Sequence, residues 1–98
     1  MSLLVHYTLK DAADHDHQTD QMKALVAGLK AEAVPVQYSC FTTEDPTRFV
    51  GVLEFADQAG LNAFQQSAAF AAYKAAVGPT FANPPQTTSI SAIASTRD

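Results

Sequence analysis

Among 98 residues, the three histidines, three tyrosines and single cysteine are the side chains best suited to chemistry near neutral pH. His6 sits in an otherwise apolar stretch, Leu3-Leu4-Val5-His6-Tyr7-Thr8-Leu9. An imidazole there could accept a proton from a bound substrate, or it could be a hydrogen-bonded histidine at a sheet surface or subunit interface. Strand alternation sets His6 opposite Tyr7, so only one of the two can face a helical layer. Leu3, Val5, Tyr7 and Leu9 form the more apolar set, which favours the interface reading for His6. His15 and His17 stand beside Asp14 and Asp16 and invite a metal reading. A step of two is poor spacing on a helix, and no third ligand follows at a recognisable distance. A solvated loop and helix start is expected there, and no metal site is assigned. Cys40 has no basic neighbour in sequence, so it reads as a small buried hydrophobe.

The aromatic residues offer a different chemistry. Tyr7, Tyr38, Phe55, Phe64 and Phe70 are candidates to line a pocket for a planar ligand. Tyr73, whose hydroxyl needs a partner if buried, joins His6 as a candidate to handle a proton. Aromatics at these spacings are also ordinary core, and at least three of Tyr38, Tyr73, Phe55, Phe64 and Phe70 are expected to be so. Lys74 reads as a solvent-exposed helix charge, and Glu54 as a rim or interface charge on the sheet face opposite Phe55. The sequence holds no Gly-rich phosphate loop, nucleophile elbow or paired-cysteine motif, so nucleotide-dependent chemistry is unsupported and no cofactor is expected.

Composition narrows the partners. A net charge of −4 with only six basic residues argues against nucleic acid, whose phosphates demand clustered Lys and Arg. No stretch approaches a membrane span, and no basic segment followed by a long apolar run opens the chain. A cytoplasmic location is the expectation, in keeping with a lone cysteine. The length fits one domain over residues 1–98. A composition 47% hydrophobic but only 16% charged leaves apolar surface that a second copy of the chain could cover.

Positioning these residues requires defined elements. Leu3 to Lys10 alternates as a strand, and Asp11 to Asp16 reads as a loop. From Gln18 to Ala33, Met22, Leu25, Val26, Leu29 and Ala33 recur at steps of three and four, the mark of a helical stripe. Pro35 bars its continuation. Val36 to Thr42 and Arg48 to Phe55 read as a hairpin around the Asp45-Pro46 turn. Asp57 is placed to cap a second helix that has a joint at Ser67 and a stop at Gly78-Pro79, with Gly78 suited to a left-handed helix end. Thr87 to Ser95 alternates as a last strand. The order β-α-β-β-α-β is that of a ferredoxin-like α+β domain, a split βαβ with a four-stranded antiparallel sheet and helices on one face. Val50 and Val52 alternate with Phe49 and Leu53, so both sheet faces are expected to be apolar, and sheet-to-sheet packing in a homodimer would cover the open one.

With these elements in place, the chain resembles the antibiotic biosynthesis monooxygenase domain family of the dimeric α+β barrel superfamily. The residues that carry the resemblance are Asp45-Pro46-Thr47-Arg48-Phe49-Val50, Leu53-Glu54-Phe55-Ala56-Asp57 and Ser67-Ala68-Ala69-Phe70-Ala71-Ala72-Tyr73. The resemblance implies a homodimer with a cavity between sheet and helices in each subunit. It also implies, for some members, cofactor-independent oxygenation of small aromatic or quinol-like substrates. In that chemistry the substrate supplies the electrons, and the protein deprotonates it, keeps it dry and stabilises the developing peroxide. Haem-degrading and some oxygenase relatives use an Asn on the first strand, a Trp ending the third and a His on the second helix. Here those places hold His6, Tyr7 and Thr8, then Phe55, then Tyr73 and Lys74, which argues against a haem site. The competing expectation is a non-catalytic, dimeric small-ligand-binding or stress-responsive module.

Overall fold

The computed structural model describes residues 1–97. Its elements are β1 (Ser2–Thr8), α1 (His15–Ala31), β2 (Val36–Thr42), β3 (Arg48–Phe55), α2 (Gln58–Gln65), α3 (Ala68–Val77) and β4 (Gln86–Ile90). The strands form one antiparallel sheet in the order β2-β3-β1-β4. This is the ferredoxin-like arrangement, with the expected β2-β3 hairpin. Among the described residues no helix is long and apolar enough to cross a membrane.

Alternation along the strands builds the core. Val5, Tyr7 and Leu9 from the first strand segment join Phe49, Leu53 and Phe55 of β3 on the buried face. Met22, Leu25 and Leu29 of α1, Phe64 of α2, and Tyr73 and Val77 of α3 close over them. Each such side chain, fully buried, contributes roughly 1.5–3 kcal/mol relative to exposure. The α1 stripe differs from expectation at three places: Val26 is half-buried, Ala33 is exposed, and Gln18 is buried in line with Met22 and Leu25.

The other sheet face is mixed rather than uniformly apolar. Leu4, Val50, Val52 and Ile90 are half-buried there, while His6, Gln37, Arg48 and Glu54 are exposed. Phe41, on the edge strand, is 52% exposed. Pairing sets Phe41 beside Val50, Val50 beside His6, and His6 beside Gln86 across the sheet. The apolar centre is thus ringed by polar groups.

Several boundaries move for identifiable reasons. The segment 11–16, read as a loop, is a 3₁₀ turn over Ala12–Asp14 followed directly by α1. The Asp11 carboxylate accepts from the Ala13 N–H at 2.9 Å and starts the turn early. β1 stops at Thr8; Leu9 forms an isolated bridge to Phe81 and donates its N–H to the Thr47 carbonyl at 2.7 Å. β4 stops at Ile90 instead of Ser95, because Ile90 pairs with Ser2 and no further β1 residue remains to pair with. Beyond it Ile93 is fully exposed. Gly78 is right-handed, with φ −48°. The Thr80 hydroxyl donates to the Val77 carbonyl at 2.7 Å, satisfying the helix end without a left-handed residue. The left-handed position falls instead on Ala33, φ 54°, after α1. There Ala33 N–H donates to the Lys30 carbonyl and Val34 N–H to that of Leu29, the paired bonds of a Schellman end that usually carries glycine.

The expected joint in the second helical region is real and separates α2 from α3. Asp57 Oδ1 accepts from Gly60 N–H at 3.1 Å, and Ser67 Oγ from Phe70 N–H at 3.1 Å. The two Glu32 carboxylate oxygens accept from Ala68 N–H at 3.0 Å and Ala69 N–H at 2.8 Å. Three N–H groups at the start of α3 are therefore satisfied, two of them by a residue that α1 delivers.

Candidate functional site

All three tyrosines of the chain converge on the helix-facing side of the sheet. Tyr7 comes from central β1, Tyr38 from edge strand β2 and Tyr73 from α3. The Tyr7 and Tyr38 hydroxyls share a hydrogen bond of 2.6 Å. The Tyr7 and Tyr73 rings meet edge to face with centroids 6.3 Å apart. Gln18 Nε2 donates to the Tyr73 hydroxyl at 2.7 Å, and Gln18 is 0% exposed. Its other amide atom, Oε1, is buried and has no protein partner.

Gly51 makes the cluster possible. It lies on β3 between Val5 and Cys40, and Tyr38 crosses the space where a side chain would stand. A Cβ at Gly51 would meet the Tyr38 hydroxyl oxygen at 2.7 Å and its Cε1 at 2.9 Å. A glycine in mid-strand often marks such a close approach, and this was a signal available in the sequence. Gln18 carried another: it continues the Met22-Leu25-Leu29 stripe with a polar residue.

Burial decides the electrostatics. It pushes the Tyr7 phenol up from 10.0 to about 12, although hydrogen bonding from Tyr38 favours the anion. Burial also raises Tyr38 and Tyr73, further aided by the proximity of Tyr7. The Cys40 thiol is raised by burial too. Near neutrality these groups stay protonated, so they can donate to an oxyanion but are poor bases.

The remaining sequence candidates are placed as follows. Phe55 and Phe64 are buried in the core at 7% exposure each, and Tyr73 at 3%, so at least three of the five named aromatics are core. Phe70 is half-buried, 4.5 Å from Phe64 between ring centroids, and carries the exposed Lys74 ammonium 4.7 Å above its ring. His6 is exposed on the opposite face of the sheet, so it is not brought together with Tyr73. Glu54 lies on that same outer face and is exposed. His15 and His17 belong to α1 rather than to a loop. His15 Nδ1 bonds the Pro46 carbonyl at 2.9 Å and His17 Nε2 that of Ala76 at 3.0 Å. Each ring nitrogen is the donor there, and the two rings tie α1 to the hairpin turn and to α3. Cys40 is half-buried rather than fully enclosed.

Access to this side runs between α1 and edge strand β2. One cleft of about 460 Å³ has walls that include Met22, Val26, Cys40 and Phe49, with Lys23 and Lys30 among its lining. A second of about 460 Å³ shares Val26 and Lys30 with it and includes Tyr38. The arrangement is an apolar slot with phenolic donors behind its sheet wall. Its fold is that of a ferredoxin-like α+β domain.

Solved structures share that fold over nearly the whole chain. An antibiotic biosynthesis monooxygenase aligns with TM-score 0.80 and 18% identity over 96% of this chain and 100% of that one. A Caulobacter crescentus protein described as a candidate antibiotic biosynthesis monooxygenase aligns with TM-score 0.83 and 19% identity, covering 95% and 89% of the two chains. A Nitrosomonas europaea protein of unknown function aligns with TM-score 0.79 and 20% identity, covering 96% and 89%. No family model matches the sequence, and no curated protein matches it. The chain thus shares the fold of antibiotic biosynthesis monooxygenase proteins.

Proposed function

We propose that the chain is a cofactor-independent oxygenase of the antibiotic biosynthesis monooxygenase type, working as a homodimer on a small aromatic or quinol-like substrate. The observation that carries this reading is the pair of adjoining α1/β2 hollows, one mainly apolar and the other reaching Tyr38, whose hydroxyl bonds that of Tyr7 at 2.6 Å. A flat, electron-rich ring would lie over Val26 and Cys40, with Met22 and Phe49 beneath. Once ionised, it would give up electrons to dioxygen. For a substrate with a reactive methylene, one dioxygen converts that methylene to a carbonyl and releases one water. One oxygen atom ends in the carbonyl, while the other leaves as water with the two methylene hydrogens, so the substrate is oxidised and dioxygen reduced. Protonated phenols are suited to hold the substrate oxyanion and the developing peroxide in a site that excludes bulk water. Dimer formation would cover Leu4, Val50 and Val52, and His6 with them. On this reading His6 is an interface residue.

A non-catalytic ligand-binding module is the second reading. It is favoured by the satisfied pairing of the buried Tyr7 and Tyr73 and by the placement of His6 away from the cleft.

A panel of anthrones and hydroquinones under oxygen separates the two, with wild type compared against Tyr38→Phe, Tyr73→Phe and His6→Ala. The oxygenase reading expects Tyr38→Phe to lower kcat by roughly 10²-fold, the range of a lost oxyanion donor, and His6→Ala to leave it unchanged. Ligand binding without oxygen uptake by any member of the panel would establish the module instead.

A further inference from the structure

We infer that the α1/β2 cleft selects ligands that carry a negative charge, an aromatic carboxylate or an ionised phenol, in preference to neutral rings of the same shape. This deepens the reading of the cleft as a ligand site and rests on it. The chain as a whole is acidic, with ten Asp and Glu against six Lys and Arg. The cleft reverses that balance: its only charged lining residues are Lys23 and Lys30. They stand at i and i+7 on α1, so both project from one side of the helix, with Val26 between them.

The acids that could neutralise them are engaged elsewhere or lie off the cleft. Glu32, just past the end of α1, is spent on the Ala68 and Ala69 N–H groups. Asp16 and Asp20 share α1 with the lysines but do not line the slot. Among the described residues neither lysine makes an ion pair; the salt bridge present is Arg48 with Asp45 at 3.6 Å. Other hollows differ: the one beside His6 has Arg48 in its lining, but Arg48 is paired with Asp45. The hollow between α1 and α3 includes Glu32, and the one beside Met1 includes Glu54. An apolar slot lined by two lysines that make no ion pair among the described residues matches a ligand with an apolar plane and an acidic edge. The lysine stems pack along the plane while the heads meet the acid.

The test is a calorimetric comparison of 1-naphthoate with 1-naphthamide, which match in shape and differ in charge. Wild type, Lys23→Gln, Lys30→Gln and the double variant are titrated, with Lys10→Gln as a control for net charge. Wild type is expected to favour naphthoate by roughly three- to tenfold, the range for one or two solvent-exposed ion pairs. The preference should vanish in the double variant, survive in Lys10→Gln, and shrink as salt is raised. Val26→Trp, which fills the slot, should abolish binding of both compounds.

Equal affinity in wild type, a preference that persists in the double variant, binding unaffected by Val26→Trp, or no binding of either compound would each overturn the inference. The readout is affinity, not turnover. A lysine-dependent preference in a protein that oxidises no anthrone or hydroquinone would leave this inference standing and remove the oxygenase. Turnover without charge preference would do the reverse.

Discussion

The two faces of the sheet are made from the same strands and have opposite characters. On the helix side, Tyr7, Phe49 and Leu53 are 6%, 1% and 2% exposed, and the phenols admitted there are held in two hydrogen-bonded pairs, Tyr7 with Tyr38 and Tyr73 with Gln18. On the outer side, His6, Val50 and Val52, their immediate neighbours in sequence, remain exposed or half-buried. The difference teaches that burial is what turns a polar residue into a chemically altered one. Tyr7 is moved well above its ordinary range because it has lost water. One residue earlier, His6 has kept its contact with solvent.

The sharpest way to break this comparison is to truncate neighbours on opposite faces. Leu53→Ala should destabilise the fold by about 3 kcal/mol through lost burial and a residual cavity. Val52→Ala should cost less than about 1 kcal/mol in the separated subunit, since its surroundings can be filled by water. Urea unfolding over a range of protein concentrations would report both. If the outer face is paired in a dimer, the penalty for Val52→Ala grows with concentration while that for Leu53→Ala stays constant. Equal penalties at high dilution would mean that the chain itself covers the outer face.

Alkaline titration tests the inner face alone, because the chain has three tyrosines, all in the cluster, and no tryptophan to obscure their ultraviolet signal. The folded state holds Tyr7 protonated to about 12, against 10.0 for the free group. A raised folded pKa contributes stability that is fully present below pH 10 and is lost as pH climbs toward 12. From Tyr7 alone this is of order 2 kcal/mol. Phenolate absorbance is expected to stay silent through pH 10 and then rise together with unfolding. Ionisation of a tyrosine near pH 10 in the folded protein would show that the cluster is wet.

The smallest effect sets a baseline away from both faces. Ala33→Gly should stabilise the fold by up to about 1 kcal/mol, because the left-handed conformation at φ 54° strains alanine and not glycine. Part of the gain is offset by the greater freedom of glycine in the unfolded chain. A thermal melt measures the balance, and a decrease in Tm would mean that the Ala33 methyl makes a contact that matters.

Much of the architecture was legible because it is encoded locally. Period-two alternation marked the strands, period-3.6 recurrence marked α1, and Asp57 and Ser67 announced two helix starts that the structure bears out. Where local signals misled, either a distant strand or a neighbouring side chain had intervened, as with Thr80 at the end of α3. β4 ends where β1 runs out of residues to pair with, and α1 finishes on a left-handed alanine while Gly78 stays right-handed. The site was less legible. Tyr7, Tyr38 and Tyr73 could be named singly as aromatic candidates, but their meeting depends on the empty place at Gly51 and on a glutamine from α1.

By itself, then, the sequence determined the order and type of the elements and the buried side of the strands and of α1, since sterics and solvent act on every residue where it stands. Only the tertiary structure decided that three phenols separated along the chain meet on one side of the sheet, and that Lys23 and Lys30 line a slot without acids. Hydrogen bonds and charges act over a few ångströms in space, and those distances exist only once α1 has been laid across the sheet.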